Sequence, residues 1–163
     1  MALSLENANL VRQKVKIALT EASPAAQAAF EGLQRYLANQ RGNPDLEFIA
    51  FSDADITTAT GFSPIGVGCK VYGVYARKTG TSGTGTATDS WLTVGNAATN
   101  TVDATKFIAL MCQADDDEVF AVYHKALNFA TDLTISGETS AQDGTESTAG
   151  DSMNGFVIIG AAA

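Results

Sequence analysis

Charged residues are scarce in this chain, 17 % of its 163 positions, whereas 45 % are hydrophobic. That balance excludes a disordered polyelectrolyte and supplies enough apolar matter for a core. Long apolar runs are missing as well. The longest, around Phe156 to Ile159, closes at Gly160, far short of the roughly 18–20 residues a membrane-spanning helix needs, so no membrane span is expected. The N-terminal stretch MALSLENANLVRQK has no basic segment leading into an apolar one. No secretory signal is read there, and synthesis in a cytoplasm is expected. Only two cysteines occur, Cys69 and Cys112, each inside an apolar stretch and too far apart in sequence for a zinc ribbon or a CxxC pair. They read as buried free thiols, with a bridge between neighbouring strands as the alternative.

Histidine is nearly absent, so any Ser-His-Asp or metal mechanism has to pass through His124. That residue stands near the end of a strand-like segment, and no serine sits in a G-x-S-x-G elbow. A strand histidine facing solvent or an interface is expected. The stretch Thr79 to Asp89 (TGTSGTGTATD) lacks the lysine of a phosphate-binding loop and reads as an exposed loop. Asp115, Asp116, Asp117 and Glu118 invite calcium, yet lack the alternating ligands and the glycine of an EF-hand. They read as a solvated turn, with calcium at a subunit interface left open. Paired carboxylates of the glycosidase kind depend on spatial separation, which the sequence does not give. No catalytic residue, metal ligand or cofactor is therefore assigned, and the chain is read as non-enzymatic.

The charge is unevenly placed. Up to Gly42, five basic residues face three acidic ones, a balance of +2; from Asn43 onward, five face fifteen, a balance of −10. An acidic body argues against nucleic acid as partner, which requires clustered Lys and Arg. The stretch Arg12-Gln13-Lys14-Val15-Lys16 either meets an acidic protein surface or forms the solvated face of a helix.

Ser23 as cap, Pro24 at the first helical position, and Gly42 and Pro44 as stops define a helix with an apolar stripe of Ala26, Ala29, Phe30, Leu33, Tyr36 and Leu37. Leu10, Val11, Val15, Ala18 and Leu19 suit a preceding helix, although Val15, Ile17 and Leu19 alternate as a strand would; the helix is the reading preferred, giving a hairpin or bent arm. Beyond Pro44 the texture turns to short β-branched and aromatic segments divided by Gly, Thr, Ser, Asn and Asp. Strands are expected over Leu46 to Phe51, Gly68 to Lys78, Ser90 to Val94, Lys106 to Gln113, Glu118 to Lys125, Leu133 to Ser136 and Gly155 to Gly160. The pair across Asp115 to Asp117 reads as the best hairpin, and the last strand, apolar on both faces, reads as central. Gly137 to Ser152, like Thr79 to Asp89, is small and polar and reads as an exposed loop. The fold class is mainly β: an antiparallel β-sandwich or jelly-roll-like domain over residues 44–163 with a helical N-terminal arm over residues 1–43.

The arm together with the segments KVYGVYARKTG, DSWLTVGNAATN, KFIALMCQADDDEVFAVYHKALNFATDLTISGETS and GFVIIGAAA resembles small virion proteins of tailed bacteriophages, in particular capsid decoration (cement) proteins. The resemblance is one of texture over most of the chain and carries no diagnostic motif. It implies a structural protein on the virion that binds the outer surface of the major capsid protein shell, as a homotrimer, and stabilises it. Under that reading Phe30, Leu33 and Leu37, with Arg12, Lys14 and Lys16, are interface candidates. The same apolar stripe could instead cover the open side of the chain's own sheet. The alternative function is a phage tail or fibre module recognising host carbohydrate, with Trp91, Tyr72, Tyr75 and Tyr123 as a stacking platform.

Overall fold

The computed structural model of the chain describes Leu3 and residues 5–40, 44–56, 61–81, 90–99, 105–112, 118–138 and 151–162. Two helices come first, α1 (Ala8–Ala18) and α2 (Pro24–Ala38). Then follow β1 (Leu46–Phe51), a short α3 (Asp53–Ile56), β2 (Cys69–Thr81), β3 (Ser90–Gly95), β4 (Lys106–Cys112), β5 (Glu118–Phe129), β6 (Thr134–Glu138) and β7 (Asp151–Ala161). The caps are local chemistry: the Asn7 side chain accepts from the Asn9 amide at 2.8 Å, and Ser23 Oγ accepts from the Ala26 amide at 3.2 Å, with Pro24 starting α2. All seven expected strands form. The sequence does not signal α3, a single turn held by Asp55, whose Oδ2 accepts from the Ser52 amide and hydroxyl at 2.7 and 2.9 Å.

The strands build two antiparallel sheets, one ordered β1-β7-β2-β5 and the other β4-β3-β6. Phe62 bridges Ile135 on the free side of β6 through two backbone hydrogen bonds of 2.8 and 2.9 Å. With Phe62 counted as a vestigial strand between β1 and β2, the two sheets take the eight-stranded double Greek-key order of a jelly roll. The expected fold class is the observed one.

Alternation along the strands divides the apolar residues between two cores. Val71, Val74, Leu92, Val94, Ile108, Ile135, Val157 and Ile159 fill the space between the sheets. Tyr72, Tyr75, Phe156 and Ile158 face outward from the four-stranded sheet and meet Val11, Val15, Phe30, Leu33 and Leu37 of the helices. β7 is central, flanked by β1 and β2, and serves both cores, which explains its unbroken apolar run.

The expected hairpin of β4 with β5 does not form: β4 pairs with β3, and β5 with β2 in the other sheet. The reason lies in the faces. β5 is apolar on both, with Val119, Tyr123, Leu127 and Phe129 toward the inter-sheet core and Phe120, Val122 and Ala126 toward the helices. It therefore belongs to the sheet that is covered twice. β4 sends only Ile108, Leu110 and Cys112 inward and fits the sheet that has no helix on its outer side.

Helix α2 approaches the four-stranded sheet closely at one place. A bulge at Tyr72, between Val71 and Gly73, turns both Tyr72 and Gly73 toward the helices. A Cβ on Gly73 would lie 2.8 Å from Phe30 Cε1 and 3.3 Å from Leu33 Cδ2, so the missing side chain makes the seat for the Phe30 ring. The ring meets Phe156 edge-on at 5.2 Å and Tyr75 at 6.4 Å. Across the molecule the outer face of the three-stranded sheet is tied by polar contacts instead. Lys106 Nζ on β4 donates to Glu138 Oε2 on β6 at 2.8 Å, and Thr93 Oγ1 on β3 donates to Glu138 Oε1 at 3.0 Å, all three side chains being buried or nearly so.

This packing gives a first prediction. Phe30→Ala lowers the unfolding free energy by about 3–5 kcal/mol through the cavity it leaves. Gly73→Val lowers it by about 1–3 kcal/mol through overpacking of the same seat. Urea denaturation of the two variants checks both values, and an effect within 0.5 kcal/mol for either contradicts the packing.

Candidate functional site

Helix α1 buries Val11 and Val15, its C-cap Leu19 is buried with them, and a groove lies on each side of that stripe. The larger, about 840 Å³, runs between Lys14, Ile17 and Ala18 on one wall and Phe48 and Ala50 of β1 on the other. Its floor is an aromatic ladder across three strands: Phe48 stacks on Phe156 at 4.8 Å and 27°, and Phe156 on Tyr75 at 5.5 Å and 22°. Ile17 stands at its rim 74 % exposed. The smaller groove, about 410 Å³, opens between Arg12 and Lys16 of α1 and Gln27, Glu31 and Gln34 of α2.

One end of the larger groove is closed by a latch around Glu118. The Ser23 amide donates to both Glu118 oxygens at 3.2 and 3.1 Å, and Tyr75 Oη donates to Oε2 at 3.0 Å. Arg77 Nη1 donates to the Glu21 carbonyl at 2.9 Å. Burial pushes the Glu118 carboxyl up, but the hydrogen bonds from Ser23 and Tyr75 and the Arg77 charge outweigh it and hold the group below its ordinary range. Burial first, and then the adjacent Glu118, push the Tyr75 hydroxyl up. At neutral pH the pair is thus a carboxylate acceptor and a protonated phenol donor, a latch that pins the α1–α2 turn to β2 and β5.

The residues singled out from sequence are dispersed. Phe30, Leu33 and Leu37 are buried between α2 and the chain's own sheet, at 0, 0 and 2 % exposure, and are not open to a partner. The outer face of the four-stranded sheet is apolar and claims the stripe first. Arg12 and Lys16 are exposed one helical turn apart, while Lys14 lies on the opposite flank and pairs with Glu6. His124 is exposed on β5, where residues 123–126 stand opposite Tyr72 alone in the register, and its ring meets Tyr36 edge-on at 4.8 Å. Trp91, Tyr72, Tyr75 and Tyr123 do not form the sugar platform. Tyr72 and Tyr75 belong to the helix-side core, Tyr123 packs on the inter-sheet core, and Trp91 alternates out of that core on the other sheet.

Cys69 and Cys112 form no disulfide and are buried on different sheets, and burial pushes the Cys69 thiol up to about 12. Asp115 to Asp117 and most of both polar loops lie outside the described residues, although residues 79–81 extend β2, Gly137 and Glu138 belong to β6, and residues 151–152 open β7. Among the described residues no three His, Cys, Asp or Glu side chains converge as metal ligands, and no helix is long and apolar enough to cross a membrane. The larger groove and the latch were missed in the sequence. Ile17 and Phe48 looked like ordinary members of apolar patterns, and Glu118 like the last charge of an acidic run. Comparison with known proteins finds no matching family model, no matching curated protein and no matching solved structure.

Two outcomes follow from these environments. Because the folded carboxyl of Glu118 lies below its ordinary value of 4.5, its contribution is present above that pH and is lost as pH falls through the folded value. Glu118→Gln is therefore less stable than the wild type at pH 7, by roughly 1–2 kcal/mol for hydrogen bonds to a charged acceptor, and the gap narrows in acid. Urea midpoints between pH 7 and pH 3 read this directly, and a pH-independent gap contradicts it. In thiol labelling with a disulfide reagent at pH 8, neither cysteine reacts in the native protein and both react in urea; rapid native labelling of either rejects the buried-thiol assignment.

Proposed function

We propose that this chain is a non-enzymatic structural protein of a virus particle, a decoration protein that docks on the outer surface of the major capsid protein shell and stabilises it. The observation that carries the reading is the larger groove, an open cleft over the Phe48–Phe156–Tyr75 ladder with Ile17 exposed at its rim. Such a surface, rimmed by polar residues, suits docking of another protein. At its closed end the Glu118 carboxylate and the Tyr75 phenol are committed to holding the helix pair, a structural task that supports binding over catalysis. Jelly-roll order serves both viral capsid and lectin domains. Of the two, sugar recognition is disfavoured because the aromatics expected to stack on a sugar are divided among different layers.

A decoration protein stabilises a shell by binding the assembled lattice in preference to loose subunits. A homotrimer touching several subunits at once would add avidity to individually weak contacts. The test is co-sedimentation with shells assembled from the major capsid protein. Saturable binding is expected, and Ile17→Asp weakens it roughly tenfold, about 1.4 kcal/mol, without shifting the melting temperature. Absence of binding to both empty and expanded shells rejects the proposal.

A further inference from the structure

We infer that the smaller groove between α1 and α2 is the seat for a carboxylate side chain of a second copy of this chain. The inference does not rest on shell binding. Arg12 and Lys16 stand one turn apart on the same wall, and among the described residues neither has an acidic partner. Glu31 on the facing wall is held by Arg35 at 2.5 Å. Gln34 lines the same groove, and its Nε2 is shielded from solvent without a hydrogen-bond partner, a donor whose burial costs stability until an acceptor is met. Two cations and an unpartnered amide donor therefore line one small groove, a combination that suits an anion. A carboxylate matches the planar fork of Arg12. Beside these donors the inner wall is hydrocarbon, from Val15 and Leu19. It suits the methylene stem of a Glu or Asp side chain and solvates a free dianion poorly.

The chain supplies its own complement. Residues 43–163 carry a balance of −10 against +2 for the first 42, so the helix pair of one copy and the body of the next attract each other. The two surfaces are different parts of the chain, which makes the contact head-to-tail, the kind that closes into a ring or extends into a filament. Salt distinguishes this from unspecific association. With a net charge of −8, copies repel at long range, and salt would strengthen unspecific contact. Docking through Arg12 and Lys16 weakens with salt.

Sedimentation velocity of the full chain at low and high ionic strength tests the inference. The wild type is expected to associate at low salt and dissociate at high salt. The R12E/K16E variant stays monomeric throughout with an unchanged melting curve, whereas the control Lys125→Glu, an exposed charge on β5, associates like the wild type. Gln34→Leu, which changes no charge, weakens association several-fold and keeps the test decisive if the double variant misfolds. A wild type that is monomeric at low salt, or association that survives R12E/K16E, overturns the inference. So does saturable binding of inorganic phosphate or acetate to a monomer, followed by amide chemical shifts of Arg12, Lys16 and Gln34, which would make the groove a free-anion site.

Discussion

The helical half of the molecule depends on one close contact, the ring of Phe30 over the bare backbone of Gly73. An ordinary β-strand would place a side chain there and hold the helix away. The bulge at Tyr72 turns two successive residues to the same face, and the second has no Cβ. Phe30 descends into that gap and meets Tyr75 and Phe156, which fixes both the height and the rotation of α2. The N-terminal turn of α2 then falls where Glu118 and Tyr75 can hold it, and α1 is laid over β1 with one flank on each side open. Both grooves are consequences of this placement.

The two sheets solve the problem of their outer faces differently. The four-stranded sheet presents aromatics and aliphatics and is covered by helices, so the hydrophobic effect holds it. The three-stranded sheet presents Thr93, Ser136 and Glu138 and is strapped by a buried ion pair to Lys106. A buried pair of this kind contributes little net stability against an apolar replacement, yet breaking it leaves an uncompensated charge. It fixes which strands neighbour one another more than how strongly they hold. The exposed Ile17 and the cations Arg12 and Lys16 all lie on the helical side.

Much of the fold was legible in the sequence. Ser23 and Pro24 announced α2, and glycine, threonine and aspartate punctuation separated all seven strands. The double-faced apolarity of Phe156 to Ile159 located the central strand. Pairing was not legible to the same degree, because Lys106 to Cys112 and Glu118 to Phe129 are neighbours in sequence and only their face patterns separate them. The candidate site was less legible still. Charge counting found Arg12 and Lys16 but grouped them with Lys14, since the stretch reads as one basic run until helical rotation sends Lys14 to Glu6. Glu118 gave no local sign of its task, as its partners Ser23 and Tyr75 are 95 and 43 positions away.

The central claim is that helices and sandwich share one core and form one cooperative unit. Equilibrium urea unfolding followed at once by helix circular dichroism and by the fluorescence of Trp91, on the sheet farthest from the helices, tests it most directly. The account predicts superimposable transitions with a common midpoint and slope. Loss of the helical signal at lower urea, with Trp91 still in its native environment, would contradict it and make the helix pair a detachable arm.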